Sequence, residues 1–198
     1  MDDVQQKKSA LRRELAAVER GLTAAEKQAS DAAIIRHVLS AEEYRLARTV
    51  FAFVGRGREI DTMPLLRQIL ADGKRLCVPL CTGKGIMECR QVRDLSILRP
   101  GAYGIPEPPA DAPEVARADI DLSIVPCAGA SPEGWRLGRG GGYYDRFLAR
   151  YTGRALLLCR RALLRPDIPR QPHDIRIPAV ITEQGRVQVG AVPDTAGR

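Results

Sequence analysis

Ten consecutive residues, Arg136-Leu-Gly-Arg-Gly-Gly-Gly-Tyr-Tyr-Asp145, bring together four glycines, two arginines and a carboxylate. Gly138, Gly140, Gly141 and Gly142 let backbone N–H groups approach an anion closely, because no side chain blocks the way and positive φ is open to them. The run lies between a strand and a helix in pattern, and a helix N-terminus adds partial positive charge. Arg136 and Arg139 supply charge-assisted donors. Phosphate binding is the chemistry this composition suits; a merely flexible glycine turn is the plain alternative. No Gly-Lys-Ser/Thr follows, so this is not a Walker loop. Tyr143 stands where the third glycine of a dinucleotide fingerprint belongs. Asp145 falls in the first helical turn, where a carboxylate complements the dipole. Beside a bound triphosphate the same carboxylate is a hard oxygen ligand of the kind Mg²⁺ takes.

The elements that must position this loop are legible from periodicity. Leu11, Leu15, Val18 and Leu22 recur at helical spacing, so Asp3–Arg20 reads as an amphipathic helix ending at Gly21. Thr23-Ala-Ala-Glu26 has the form of a capping box opening a second helix through Val38, and Ser40-Ala-Glu-Glu43 offers a further short start. Thr49–Val54 is a continuous apolar run, as a buried parallel strand should be. Thr62 is placed to cap a helix with Pro64 in its first turn and Gly73 just past its end. Arg75–Leu80 and Ile86–Val92 read as strands, and Arg99–Pro113 as a long irregular loop. Strand Ile120–Val125, helix Tyr143–Tyr151 and strands Arg154–Cys159, Ala179–Thr182 and Arg186–Val189 complete the pattern. Alternating strands and helices imply one α/β domain over residues 1–198, a mainly parallel twisted sheet flanked by helices, with a helical segment at its N-terminus. Ligands of such sheets sit beyond the strands' carboxyl ends, which directs attention to the loops after Val54 and Val125.

Composition narrows the class. A chain of 198 residues buries roughly 70% of its unfolded surface, so an aliphatic core suffices without a metal or disulfide staple. No run approaches the length of a membrane span, and the charged N-terminus has no apolar signal core; a cytoplasmic protein that uses no membrane is expected. Five cysteines without a Cys-x-x-Cys pair, and only two histidines, speak against a disulfide framework or a zinc site. The formal charge is +7, but the arginines are dispersed and no reading helix is recognisable, so no nucleic-acid partner is expected.

Leu137–Arg146, centred on Gly-Gly-Gly-Tyr-Tyr-Asp-Arg, closely resembles the signature of the 5-formyltetrahydrofolate cyclo-ligase (methenyltetrahydrofolate synthetase) family. Lys8-Ser-Ala-Leu-Arg12, Phe53–Thr62 with Glu59-Ile-Asp-Thr62, Tyr103–Pro108, Asp121–Pro126 and His173-Asp-Ile175 resemble further family segments, in order along most of the chain. The resemblance implies a Rossmann-like fold of the NagB/RpiA/CoA-transferase type. It implies a Mg-ATP-dependent ligase of folate and one-carbon metabolism that closes 5-formyltetrahydrofolate, with or without a polyglutamate tail, to 5,10-methenyltetrahydrofolate; a monomer is expected. It implies nucleotide contacts from Lys8, Arg12 and Arg136 through Tyr144, namely Arg136, Leu137, Gly138, Arg139, Gly140, Gly141, Gly142, Tyr143 and Tyr144. Arg136, Arg139 and Tyr144 would serve the chemistry, Val54, Glu59 and Tyr103 the folate, and Asp145 and Asp174 magnesium. Without the resemblance, Lys8 and Arg12 would be a solvated basic helix face and Tyr103 a packed loop aromatic. His173 reads as a structural neighbour rather than a catalyst.

Three segments depart from the family pattern. Cys127-Ala-Gly-Ala-Ser131 stands where the family continues with Gly and then Phe-Asp. Arg160-Arg-Ala162 replaces a usual Gln, and Ile177-Pro178 a usual acidic position. A diverged nucleotide-binding relative without cyclo-ligase activity is the alternative that these changes motivate.

Overall fold

The computed structural model describes residues 3–188. Its centre is a seven-stranded sheet. The strands are β1 (Thr49–Ala52), β2 (Arg75–Gly83), β3 (Ile86–Val92), β4 (Leu122–Val125), β5 (Arg154–Leu158), β6 (Val180–Thr182) and β7 (Gly185–Arg186). Their order is β7-β6-β5-β4-β1-β2-β3. The five inner strands pair in parallel, and β3 and β7 close the two edges antiparallel. From β1 the chain first builds outward through β2, then returns to place β4 on the other side of β1. The loops leaving β1 and β4 therefore diverge, opening a crevice at the carboxyl edge.

Alternation along the strands feeds two cores. Val50, Ala52, Leu76, Val78, Leu122, Ile124, Leu156 and Leu158 face one side. Phe51, Cys77, Val125, Leu157 and Cys159 face the other, as a two-residue period requires. Helices α2 (Ala24–Ser40), α3 (Glu42–Leu46) and α4 (Met63–Ala71) supply Ile34, Val38, Tyr44, Leu65 and Ile69 to the first core. Helices α1 (Asp3–Gly21) and α5 (Tyr143–Leu148) supply Leu15 and Phe147 to the second. The capping box of α2 is present in both directions: Thr23 N–H donates to Glu26 and Glu26 N–H to the Thr23 hydroxyl.

Several boundaries differ from the sequence reading. Thr62 precedes α4 but does not cap it. Its buried hydroxyl donates to the Phe53 carbonyl at 2.7 Å and accepts the Gly55 N–H at 2.9 Å, while Asp61 accepts the Met63 N–H. Because the Phe53 carbonyl is taken in this way, pairing of β1 ends at Ala52 rather than Val54. Helix α5 stops at Leu148, short of Tyr151, whose hydroxyl instead bonds the Arg154 carbonyl at the start of β5. The segment Arg99–Pro113 is less irregular than expected: Arg99–Pro100 pairs with Pro106–Glu107 around a turn at Ala102–Gly104. A second small ribbon pairs Gly129–Ala130 with Arg136–Leu137 directly before the glycine loop. The last strand is Gly185–Arg186, and the expected extension to Val189 falls outside the described residues.

Candidate active site

The crevice between β1 and β4 opens into a cavity of about 430 Å³, within the range of small-molecule sites. Its floor comes from the ends of those strands: Phe53, Val54, Pro126 and Cys127. Its polar wall comes from α1 and the glycine loop, and its rim from Tyr103 and Tyr143.

On α1, Lys8 and Arg12 lie one turn apart and share a face. Lys8 is buried and ion-paired to Asp174, whose carboxylate also accepts the Gln171 N–H. Arg12 donates to the Gly138 carbonyl at 2.7 Å. Burial lowers its guanidinium pKa, and the nearby charges of Asp174 and Asp145 oppose that shift. Arg136 is buried and donates to Asp145 at 2.7 Å, with its guanidinium 5.8 Å from the Tyr144 ring. Its Nε and the Tyr144 hydroxyl are buried without a partner among the described residues. Burial holds the Tyr144 phenol well above its ordinary pKa, so it remains a neutral donor at physiological pH.

Gly140 adopts φ +105° and Gly142, the residue before α5, φ +68°. Both lie in the region L side chains rarely adopt, which accounts for glycine at these turns. Arg139 reaches across the cavity and pairs with Glu59 at 2.8 Å. Glu59 also accepts the Arg56 N–H, and the Arg56 guanidinium holds the Tyr103 carbonyl. Tyr103, at φ +55°, is 71% exposed and meets Tyr143 edge-on, with their hydroxyls 3.3 Å apart. Its ring stands at the cavity rim with most of its surface uncovered.

Every expected contact residue thus lines one cavity except Leu137. Its side chain is fully buried in the core and its carbonyl accepts the Ala128 N–H, so it holds the ribbon beneath the loop. Gln5, Pro79, Cys81, Met87, Ile105 and Gln171 also line the cavity. Ile105 falls within the Tyr103–Pro108 segment, whereas nothing in their local sequence distinguished Pro79, Cys81 and Met87, since the hairpin of β2 and β3 reaches the site only through the sheet order. The departing positions are distributed unevenly. Cys127 is part of the cavity floor, whereas Ile177 is buried and donates its N–H to the Gly134 carbonyl behind the loop. Arg160 lies in a buried ion cluster behind the residues that carry Glu59.

Magnesium usually keeps one or two carboxylates along with phosphate oxygens rather than an all-protein cage. The described residues contain no group of three or more His, Cys, Asp or Glu side chains placed to hold a metal. Asp145 and Asp174 both line the cavity, Asp145 against Arg136 and Asp174 against Lys8. The donor set therefore suits a cation shared with a bound phosphate and not a stand-alone metal centre.

Fold and site together define an α/β protein with a glycine loop facing an apolar crevice at a topological switch point. The chain belongs to the 5-formyltetrahydrofolate cyclo-ligase family, whose model matches residues 4–183. It is 33% identical over 187 residues to the mitochondrial 5-formyltetrahydrofolate cyclo-ligase of Arabidopsis thaliana, covering 80% of this chain and 68% of that one. It is 34% identical over 145 residues to the 5-formyltetrahydrofolate cyclo-ligase of Mycolicibacterium smegmatis, covering 68% and 73%. The solution structure of Aquifex aeolicus 5,10-methenyltetrahydrofolate synthetase superposes with a TM-score of 0.81 at 27% identity, covering 96% of this chain and 97% of that one.

Proposed function

We propose that this protein uses Mg-ATP to close 5-formyltetrahydrofolate to 5,10-methenyltetrahydrofolate, releasing ADP and phosphate. The observation that carries the reading is convergence: four cations, a glycine loop and three carboxylates meet an apolar, aromatic-rimmed crevice in one cavity. Family membership supplies the substrate class.

A formyl oxygen bound to an amide-like carbon is a poor leaving group until it is phosphorylated. In the proposed reaction that oxygen takes the γ-phosphoryl group as ADP departs. N10 then attacks the activated carbon, its proton is lost, and phosphate leaves. Such transfer asks the protein mainly for positioning and charge neutralisation. Lys8, Arg12 and Arg136 are placed to bind phosphate oxygens, with Gly138 and Gly140–Gly142 offering backbone donors. Arg139 sits at the boundary with the folate side, where Glu59 now holds it. Asp145 and Asp174 would hold Mg²⁺, which neutralises phosphate charge when bound. Lys8 and Arg136, currently paired with those carboxylates, gain phosphate oxygens as replacement acceptors. Val54 and Phe53 line the slot for the flat ring system, and Tyr103 closes over it. Neutral Tyr144 contributes a hydrogen-bond donor.

The experiment is direct. Purified protein is mixed with Mg-ATP and 5-formyltetrahydrofolate while the near-ultraviolet absorbance of the methenyl product is followed. ATP-dependent growth of that band is expected. A flat trace with ATP still bound would reject the reaction in favour of a nucleotide-binding relative without it.

A further inference from the structure

The loop from Gly55 to Asp61 carries Glu59 and Arg56, yet it makes few backbone bonds of its own; one is Glu59 N–H to the Arg56 carbonyl. Two of its carbonyls are held from behind by a single side chain. Arg160, two residues beyond β5, has a side chain only 3% exposed. Its Nη1 donates to the Arg58 carbonyl at 2.8 Å and to Glu19 at 3.3 Å. Its Nη2 donates to the Glu59 carbonyl at 3.2 Å and to Asp31 at 2.7 Å, and its Nε donates to Asp31 at 3.1 Å. All five guanidinium donors are thereby used. The second oxygen of Asp31 accepts the Asp61 N–H at 3.0 Å. Arg58, Glu59 and Asp61 are therefore tied through one guanidinium and one carboxylate to α2 and to the end of β5.

The geometry points to Arg160 as a positioning residue for the folate side of the cavity. By fixing the Arg58 and Glu59 carbonyls, which flank the Glu59 Cα, it sets where the Glu59 carboxylate emerges to meet Arg139. It also steadies Arg56, whose guanidinium holds the Tyr103 carbonyl at the rim. Arg160 does not line the cavity, so its effect on a bound ligand must pass through this loop. Glu19 plays a different part: it neutralises Arg160 and lies 3.9 Å from Arg58 Nε, with no bond to the loop backbone. The kinetic part of this inference rests on the proposed reaction, but the structural part does not.

The test uses the full chain without substrates first. Arg160→Lys keeps a buried positive charge against Asp31 and Glu19 but lacks the planar fork that reaches two carbonyls and a carboxylate together. Asp31→Asn removes one of the acceptors shared by Arg160 and the Asp61 N–H. In both variants amide hydrogen exchange over residues 56–62 is expected to accelerate roughly tenfold or more, with β4 and β5 unchanged. Glu19→Gln should leave that exchange at the wild-type rate. In the turnover assay the KM for 5-formyltetrahydrofolate should rise about tenfold in Arg160→Lys while the KM for ATP stays within about twofold. Wild-type exchange over 56–62 in Arg160→Lys, or an equal rise in both KM values, would overturn the assignment. Should Arg160→Lys fail to fold, the exchange of Asp31→Asn decides alone. If the wild-type protein forms no product, the proposed reaction fails while the exchange data still judge Arg160.

Discussion

At the scale of single residues, Arg136 shows how much chemistry one buried cation organises. It pairs with Asp145, lies beside the Tyr144 ring and keeps one N–H unpaired. A cation in this position would neutralise phosphate charge both in the bound nucleotide and as the phosphoryl group is transferred. Arg136→Ala and Asp145→Asn are therefore each expected to lower kcat about 10²-fold or more. Near-wild-type kcat in either folded variant would refute the assigned role. Gly140 makes a contrasting case. A Cβ there would find nothing nearer than the Arg12 guanidinium at 3.8 Å, so space is available. The obstacle to any other residue is the φ of +105°. Gly140→Ala should weaken Mg-ATP binding about tenfold, since a rarely populated conformation costs on the order of 1 kcal/mol or more. Titration calorimetry checks this, and unchanged affinity would show that the loop's shape does not govern binding.

At the scale of elements, the strands were legible as apolar runs and the helices from apolar spacing and cap or breaker residues, because burial on two faces leaves a plain signal at Val50, Phe51, Ala52 and their neighbours. Element ends were less legible, since they depend on which polar group captures which backbone atom across the fold. Thr62 is the clearest instance. Local spacing made it a helix cap, but its hydroxyl instead staples the end of β1 to the start of α4. The two short ribbons escaped for a related reason: two-residue strands are too brief for any period to register. Thr62→Val tests the staple, because it keeps the shape and removes both hydrogen bonds. Leaving the Gly55 N–H and Phe53 carbonyl unpaired should cost about 1–3 kcal/mol in urea unfolding. The folate KM should rise as well, since Val54 and Glu59 flank the staple. Full stability in that variant would mean that water replaces the hydroxyl at no cost.

At the scale of the whole molecule, the site was legible as a set of segments but not as a shape. The glycine loop announced itself through composition; Lys8 and Asp174 became partners only because the sheet order brings α1 against the chain that follows β5. Cys127 and Cys81 reach the cavity for the same topological reason. Burial and the Glu107 carboxylate push the Cys81 thiol up to about 12, and burial does the same to Cys77 and Cys89. These three should resist iodoacetamide at about pH 8 in the native protein, because the thiolate is the reactive form; peptide mass mapping would expose any that reacts quickly. The same topology makes the cavity a joint between α1, the loops of β1 and β4, and the glycine loop, so a ligand there must stabilise the entire fold. Mg-ATP at a hundredfold excess over its Kd should add about 2.7 kcal/mol to unfolding. Arg136→Ala, compared under the same nucleotide concentration, should lose most of that increment while 5-formyltetrahydrofolate still protects it through the Val54 side. Urea unfolding with and without each ligand separates the two halves of the cavity. If Mg-ATP failed to protect the wild-type chain, the glycine loop would be no nucleotide site and the proposed reaction would fall with it.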